Sequence, residues 1–502
     1  MSPRTGLLIF LVLVLAGIGL WFFPGESPSE RAETGSESGY RLRFHECDFD
    51  TSWRAEVRCA TLKTPSTEII SFQLPVMILE APSAERQSDP VLYLQGGPGA
   101  PAGIDREGVR YWRSWMENAR LKRDLVVLDR RGTGGSRPAL DCPEYDDFSR
   151  EILRDDATFE RELEEGSAIL RECFARLEAS GRFAAEAFGT RASTRDVVGL
   201  MTELDFREWN LIGVSYGSRL ALAVAQEINQ ADTSVRVRSL ILDSVYPPDQ
   251  GGLLSWPKVM TQGIERFIQW CQSDGDCAPS ERNLSAQLDA ALEQLKRDPL
   301  SVSIDFWQER RPGTVVINDH RFLSALFAAI NQLRRWPEIP KALEAVQQSD
   351  PEALRPLIEP FVNQALDESL SSLTFMAVDC RDHRLGTEAE YQTVVDEHPR
   401  FRQFLDPLWQ WQSCQWLGSA EQPLAPVGDL SVPTLMLAGE LDPITPMTWA
   451  EELAEQWPHS QLYRATTTGH YVIGSKPCVH TSLADYLDDP RAAWKPACGR
   501  RQ

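Results

Sequence analysis

The chain has 502 residues, with 51 Lys and Arg against 73 Asp and Glu, a formal net charge of −22 at pH 7. Charged residues make up 25% and hydrophobic ones 42%, the balance of a globular protein with a sizeable core, and so acidic a chain lacks the basic face that nucleic-acid binding needs. One apolar run, Leu7 to Phe23, excludes a polytopic membrane protein.

That run follows a short segment containing Arg4 and ends at Pro24–Gly25, the layout of a secretory signal. Its roughly 17 residues suit a long signal-peptide core or a short membrane span, and Trp21, Phe22 and Phe23 suit a membrane interface. Residues 1–24 are expected to be a signal peptide or a signal-anchor, and residues 25–40 a polar linker. The rest is expected to be exported, periplasmic or extracellular, with residues 7–23 as its single membrane anchor where the segment is retained. The ten cysteines agree with an oxidising compartment. Spacing does not fix connectivity, but sequential pairing gives every cysteine a local partner: Cys47–Cys59, Cys142–Cys173, Cys271–Cys277, Cys380–Cys414 and Cys478–Cys498. No His or Cys cluster has metal-ligand spacing, so neither metal nor cofactor is expected.

Glu68 to Leu79 mixes apolar and polar positions like a strand pair. Val91–Leu94 and Leu125–Leu128 are short apolar runs bounded by turn residues, as buried parallel strands are, with a helix around Tyr111–Asn118 between them. A further helix is expected after Ser193 and Thr194, which make good N-caps. A third strand at Asn210–Val214 precedes an apolar-striped helix, and Leu240–Leu242 and Thr434–Ala438 supply a fourth and a fifth. Alternating strands and helices predict an α/β fold with a mostly parallel, doubly wound sheet. Roughly 180 residues separate the fourth strand from the fifth. Residues 41–246 and 428–502 are therefore expected to form one α/β domain in two parts, with 247–427 an inserted helical cap.

Gly213-Val214-Ser215-Tyr216-Gly217 fits G-x-S-x-G between an apolar strand and an amphipathic helix, the context in which a strained turn lifts a serine hydroxyl above a sheet. Such a hydroxyl needs a base, and the base an orienting carboxylate. Asp442 lies just past the fifth strand, with Glu440 as a rival acid. About 28 residues on, after a last strand near Leu462–Ala465 and a helix at Met447–Gln456, comes His470. His459 and His480 are expected on surfaces. Ser215, Asp442 and His470 thus read as nucleophile, orienting acid and base. The backbone N–H groups of Tyr216 and of Gly97, in the loop Gln95-Gly96-Gly97-Pro98-Gly99, read as oxyanion donors. Arg131-Gly132-Thr133-Gly134-Gly135-Ser136 lacks a P-loop lysine and reads as a turn packed against the site.

At these residues the sequence resembles the α/β-hydrolase superfamily, and within it the proline iminopeptidase and tripeptidyl-aminopeptidase group of serine exopeptidases. Gln95–Gly99 is similar to that group's H-G-G-P-G loop, Asp129–Ser136 to its D-Q-R-G-x-G-x-S segment, and Gly213–Ser218 to the G-x-S-Y-G-[ST] elbow of the tripeptidyl branch. Gly439–Pro446, Gly469-His470 and the pair Cys478 and Cys498 resemble that branch's C-terminal region. Gln95 stands where iminopeptidases have His, and Tyr216 where they commonly carry Trp, so strict proline specificity is not implied. The resemblance implies an α/β-hydrolase fold, small peptide substrates, and capture of a free amino terminus by acidic cap residues, for which Asp379 and Asp382 are the candidates. An esterase of small substrates and a non-catalytic binding protein on the same scaffold are the alternatives.

Overall fold

In the computed structural model of the chain, residues 39–498 are described, apart from 52–55, 83, 232–233, 275–276, 278–281, 406–408 and 420–422. The expected signal or anchor segment and most of the linker lie outside the described residues. Among the described residues no helix is long and apolar enough to cross a membrane.

The chain begins with three antiparallel strands, β1 (Arg41–His45), β2 (Val57–Lys63) and β3 (Gln73–Leu79). The strand pair expected at Glu68–Leu79 is thus a single strand. Its neighbour lies earlier, at β2, because the chain turns back between them, with Thr64 N donating to Phe72 O at 3.0 Å. Then come β4 (Val91–Leu94), α1 (Arg106–Asn118), β5 (Leu125–Leu128), α2 (Pro143–Ile152), α3 (Phe159–Ala179), α4 (Thr190–Glu203), β6 (Glu208–Val214), α5 (Tyr216–Gln230) and β7 (Arg236–Asp243). The chain returns to the sheet only at β10 (Thr434–Gly439), and β11 (Ser460–Ala465) completes it.

The nine strands run in the order β1-β2-β3-β5-β4-β6-β7-β10-β11, antiparallel from β1 to β5 and parallel from β5 to β11. Every residue of β4 and β5 is buried, as expected of strands covered on both faces. Side chains alternate between two cores. Leu92, Leu94, Leu211, Leu240, Leu242 and Met436 pack with α4 and α5 on one face, whereas Tyr93, Ile212, Ile241, Leu435 and Leu437 face Trp112 and Trp115 of α1. β4 is flanked by β5 on one side and β6 on the other, so the crossovers reverse direction there. Loops leaving the carboxyl ends of such strands open a crevice.

Helix α4 starts at Thr190, earlier than the expected caps at Ser193 and Thr194. Its cap comes from far along the chain: Asp382 Oδ1 accepts from Thr190 N at 2.7 Å. The Thr194 hydroxyl instead bonds the Thr190 carbonyl inside the helix, at 2.8 Å.

Between β7 and β10 the chain forms α6 (Trp256–Ser273), α7 (Leu284–Arg297), the hairpin β8 (Leu300–Phe306) and β9 (Arg311–Ile317), α8 (Asp319–Ile330), α9 (Glu338–Gln347), α10 (Pro351–Ala365), α11 (Ser372–Asp382), α12 (Glu388–Asp396), α13 (Arg402–Leu405) and α14 (Trp409–Leu417). The segment expected to be helical throughout therefore also carries an antiparallel hairpin, whose strand β8 alternates buried and exposed residues. Most of it packs around its own core, including Phe267, Leu288, Ile304, Phe322, Leu343 and Ile358. Helix α11 is different: Leu373, Met376, Ala377 and Val378 join the core beside the main sheet. After β10 come α15 (Met447–Gln456), then, past β11, α16 (Val472–Ser475), α17 (Pro477–Thr481) and α18 (Leu483–Asp488).

Candidate active site

The Gly213–Gly217 turn joins β6 to α5 with Ser215 at its apex, in a left-handed conformation with φ 56°. A non-glycine residue pays for that conformation with strain, and such strain gathers at functional sites. Both flanking glycines are required by close approach: a Cβ on Gly213 would lie 2.3 Å from Gly217 O, and one on Gly217 only 1.9 Å from Leu94 O. The β4 loop leaves the sheet beside this turn, because Leu94 pairs with Gly213, and a Cβ on Gly96 would sit 3.2 Å from Ser215 Cβ. Gly97 has φ 105°, a conformation that favours glycine. Among the described residues neither Gly97 N–H nor Tyr216 N–H forms a hydrogen bond.

Asp442 follows β10 in a turn and is fully buried. Its Oδ1 accepts from Ile444 N and Thr445 N, each at 2.9 Å, and its Oδ2 from the Thr445 hydroxyl at 2.7 Å. Oδ2 also lies 2.8 Å from His470 Nδ1, in the loop after β11. Burial alone would raise the Asp442 carboxyl, but the His470 charge and these hydrogen bonds outweigh it and hold the carboxyl below 3.8. Burial would likewise lower the imidazole, and the Asp442 carboxylate overrides it, raising His470 above 6.5. Glu440 turns to Thr467 N at 3.0 Å instead. His459 is exposed, whereas His480 is half-buried against Trp115, with ring centroids 4.9 Å apart.

The loops are tied together from below by two residues absent from the sequence reading. Ser215 N donates to the Asp243 carbonyl at 2.9 Å, and Tyr471 N to Ser244 Oγ at 2.8 Å. The Asp243 carboxylate accepts from Val472 N and Ile473 N at 2.9 and 2.8 Å, anchoring the chain just past His470, and burial pushes it up to about 6. An acidic residue closing the otherwise apolar Leu240–Leu242 run was the available signal. Among the described residues no hydrogen bond joins Ser215 Oγ to the imidazole; catalytic hydrogen bonds commonly tighten only with substrate in place.

One helical turn past Ser215 on α5, Arg219 is buried among the residues of α11. Its guanidinium donates to His383 Nε2 at 2.7 Å and to the carbonyls of Pro247 and Gln250 at 3.1 and 2.5 Å, and it lies 3.6 Å from the Tyr246 ring centre. The two sequence candidates behave differently. Asp382 is buried with its oxygens taken by Thr190 N at 2.7 Å and the Thr190 hydroxyl at 2.5 Å, with Arg219 at 3.7 Å. Asp379 stands 3.8 Å from His383 Nε2, and burial, only partly offset by Arg219, pushes it up to about 7. Helix α11 also reaches the β4 loop, for Ser371 N donates to Gly99 O at 3.0 Å. At its other end Thr190 Oγ1, held by Asp382, lies 2.9 Å from the Tyr216 hydroxyl.

The structure joins all five sequential cysteine pairs, linking α2 to α3 through Cys142–Cys173 and α11 to α14 through Cys380–Cys414, besides Cys47–Cys59, Cys271–Cys277 and Cys478–Cys498. Bonds of this kind belong to an oxidising compartment.

Known proteins agree with this architecture. The α/β hydrolase fold family matches residues 89–311, and the TAP-like protein family residues 402–496. The chain is 22% identical over 463 residues to YuaR of Escherichia coli, covering 86% of each chain. It is 24% identical over 421 residues to serine protease Hip1 of Mycobacterium tuberculosis, covering 78% of this chain and 77% of that one. Among solved structures, proline iminopeptidase of Mycobacterium smegmatis is 14% identical with a TM-score of 0.39, over 86% of this chain and 98% of that one.

Proposed function

We propose a serine exopeptidase activity for this chain, which belongs to the α/β-hydrolase superfamily and ends in a TAP-like region. Ser215 Oγ attacks the scissile carbonyl of a small peptide while His470 Nε2 takes the hydroxyl proton. Asp442 holds Nδ1–H and stabilises the imidazolium. The oxyanion sits between the N–H groups of Gly97 and Tyr216. Collapse breaks the C–N bond as the imidazolium protonates the leaving amine, and a water activated by the same ring then releases the acyl group as a carboxylate. The observation that carries this reading is the 2.8 Å His470–Asp442 contact at the same sheet edge as the strained Ser215.

Selection is assigned to the inserted segment. Residues 41–246 and 428–502 supply the catalytic groups, and 247–427 the cap that admits substrate. Asp379 is the acceptor for a free amino terminus, because the oxygens of Asp382 are already engaged. The relative named as a serine protease supports a peptidase over an esterase. The disulfides support export, with residues 7–23 as signal or anchor. Labelling by a fluorophosphonate probe, lost in Ser215→Ala, tests the nucleophile; an unlabelled wild-type chain would sink the hydrolase reading. A panel of aminoacyl to tripeptidyl fluorogenic amides with free or acetylated N-termini tests the rest. Cleavage indifferent to acetylation would remove the exopeptidase claim and favour an esterase or endopeptidase.

A further inference from the structure

Arg130, in the loop after β5, is buried, yet among the described residues it forms no ion pair with a carboxylate. Its fork is spent on backbone. One Nη donates to Gln95 O at 2.7 Å, and the other to Gly96 O and Pro98 O at 2.8 and 2.9 Å. The guanidinium carbon also lies 5.0 Å from the centre of the Tyr216 ring. A buried charge is costly unless its donors are satisfied, so three carbonyls bonded on one loop, together with contact to the residue after the nucleophile, mark a purpose.

The peptide chemistry gives that purpose. The Gly96–Gly97 bond is trans, so its carbonyl and its N–H point in opposite directions. A donor held on Gly96 O therefore aims Gly97 N–H away from Arg130, and a charge-assisted bond to the carbonyl polarises the N–H of the same amide. We propose that Arg130 is a positioning residue for the oxyanion hole: it locks the Gln95–Pro98 carbonyls beneath the loop, aims and polarises Gly97 N–H, and keys that loop to Tyr216. Arg131, its neighbour, takes no part. It is bidentate to Asp196, with contacts of 2.7 Å, and bonds Glu68 at 2.8 Å and Ala187 O at 2.9 Å.

The inference rests on the serine-hydrolase reading, and the test separates the two. Arg130→Met, Arg130→Lys, Arg131→Met and Ser215→Ala are compared with the unaltered full chain on a peptide amide, on a peptide aldehyde whose hemiacetal oxygen occupies the oxyanion position, and in thermal melting. Arg130→Met is expected to lower kcat by about 10²-fold with KM changed by less than about threefold, and to weaken the aldehyde by a similar factor. Arg130→Lys, which reaches one carbonyl where the fork reaches three, is expected to lower kcat by about tenfold. Arg131→Met is expected to lower the melting temperature while leaving kcat within about twofold. A folded Arg130→Met with unchanged kcat or unchanged aldehyde affinity overturns the inference. Where Arg130→Met does not fold, Arg130→Lys decides by the same criteria. Hydrolysis that survives Ser215→Ala overturns the serine-hydrolase reading itself.

Discussion

Of the carboxylate–histidine pairs among the described residues, those of Asp442 and Asp379 titrate in opposite senses. In the loops after β10 and β11 Asp442 lies 2.8 Å from His470; the carboxyl is held low and the imidazole raised. Within the inserted segment Asp379 lies 3.8 Å from His383; the carboxyl is pushed up to about 7, and burial with the adjacent Arg219 drives the imidazole well below 6.5. The residue types match, and the difference is which partner reaches the ring first. A carboxylate supplied with three further donors raises His470. Burial, with a guanidinium at 2.7 Å, makes His383 a neutral acceptor, and burial raises Asp379.

The sharpest way to break this contrast is Asp442→Asn, expected to lower kcat by about 10⁴-fold through the wrong imidazole tautomer. Stopped assays over a range of pH would read it, and a loss under about tenfold would remove Asp442 from its role. Next in size is Asp382→Ala, which strands Thr190 and leaves Arg219 facing fewer acceptors; a stability loss of about 3 kcal/mol is expected in urea unfolding. Asp379→Asn should fold normally and raise KM by about tenfold for free-amino substrates only, leaving acetylated ones unaffected.

The smallest effects are those of pH. For unaltered protein KM is expected to fall as pH rises through about 7, where the Asp379 carboxylate forms. The acid limb of kcat/KM should lie above 6.5, because the raised His470 must lose its proton to act as base. Stability is affected in two separate windows. The raised imidazole stabilises the fold below its unfolded value and loses that contribution as pH rises through the folded one. The lowered Asp442 contributes above its unfolded value and loses its share as pH falls through the folded one.

Much of the site was legible because its signals are local. G-x-S-x-G is a turn between a strand and a helix, and Asp442 and His470 each follow an apolar run by a few residues. What escaped reading depends on distant partners. Arg130 bonds carbonyls 32 to 35 positions away, and Arg219 meets His383 across 164. No composition or periodicity announces such contacts. The start of α4 was misplaced for the same reason, since its cap is an aspartate 192 positions downstream. The β2 strand escaped because four of its seven residues are only partly buried or exposed, which weakens an alternating pattern. The β8–β9 hairpin escaped because it interrupts a helical stretch.

Helix α11 joins what the chain order keeps apart. One end is bonded to Gly99 of the Gln95–Gly99 loop, and the other, through Asp382 and Thr190, reaches Tyr216. The inserted segment is thus bonded to both loops at once. A replacement segment without this double attachment is expected to loosen Gly99 and Tyr216 together. Substitutions on the exposed turns of the inserted segment are accordingly expected to leave these two contacts intact, and substitutions in α11 to disturb them.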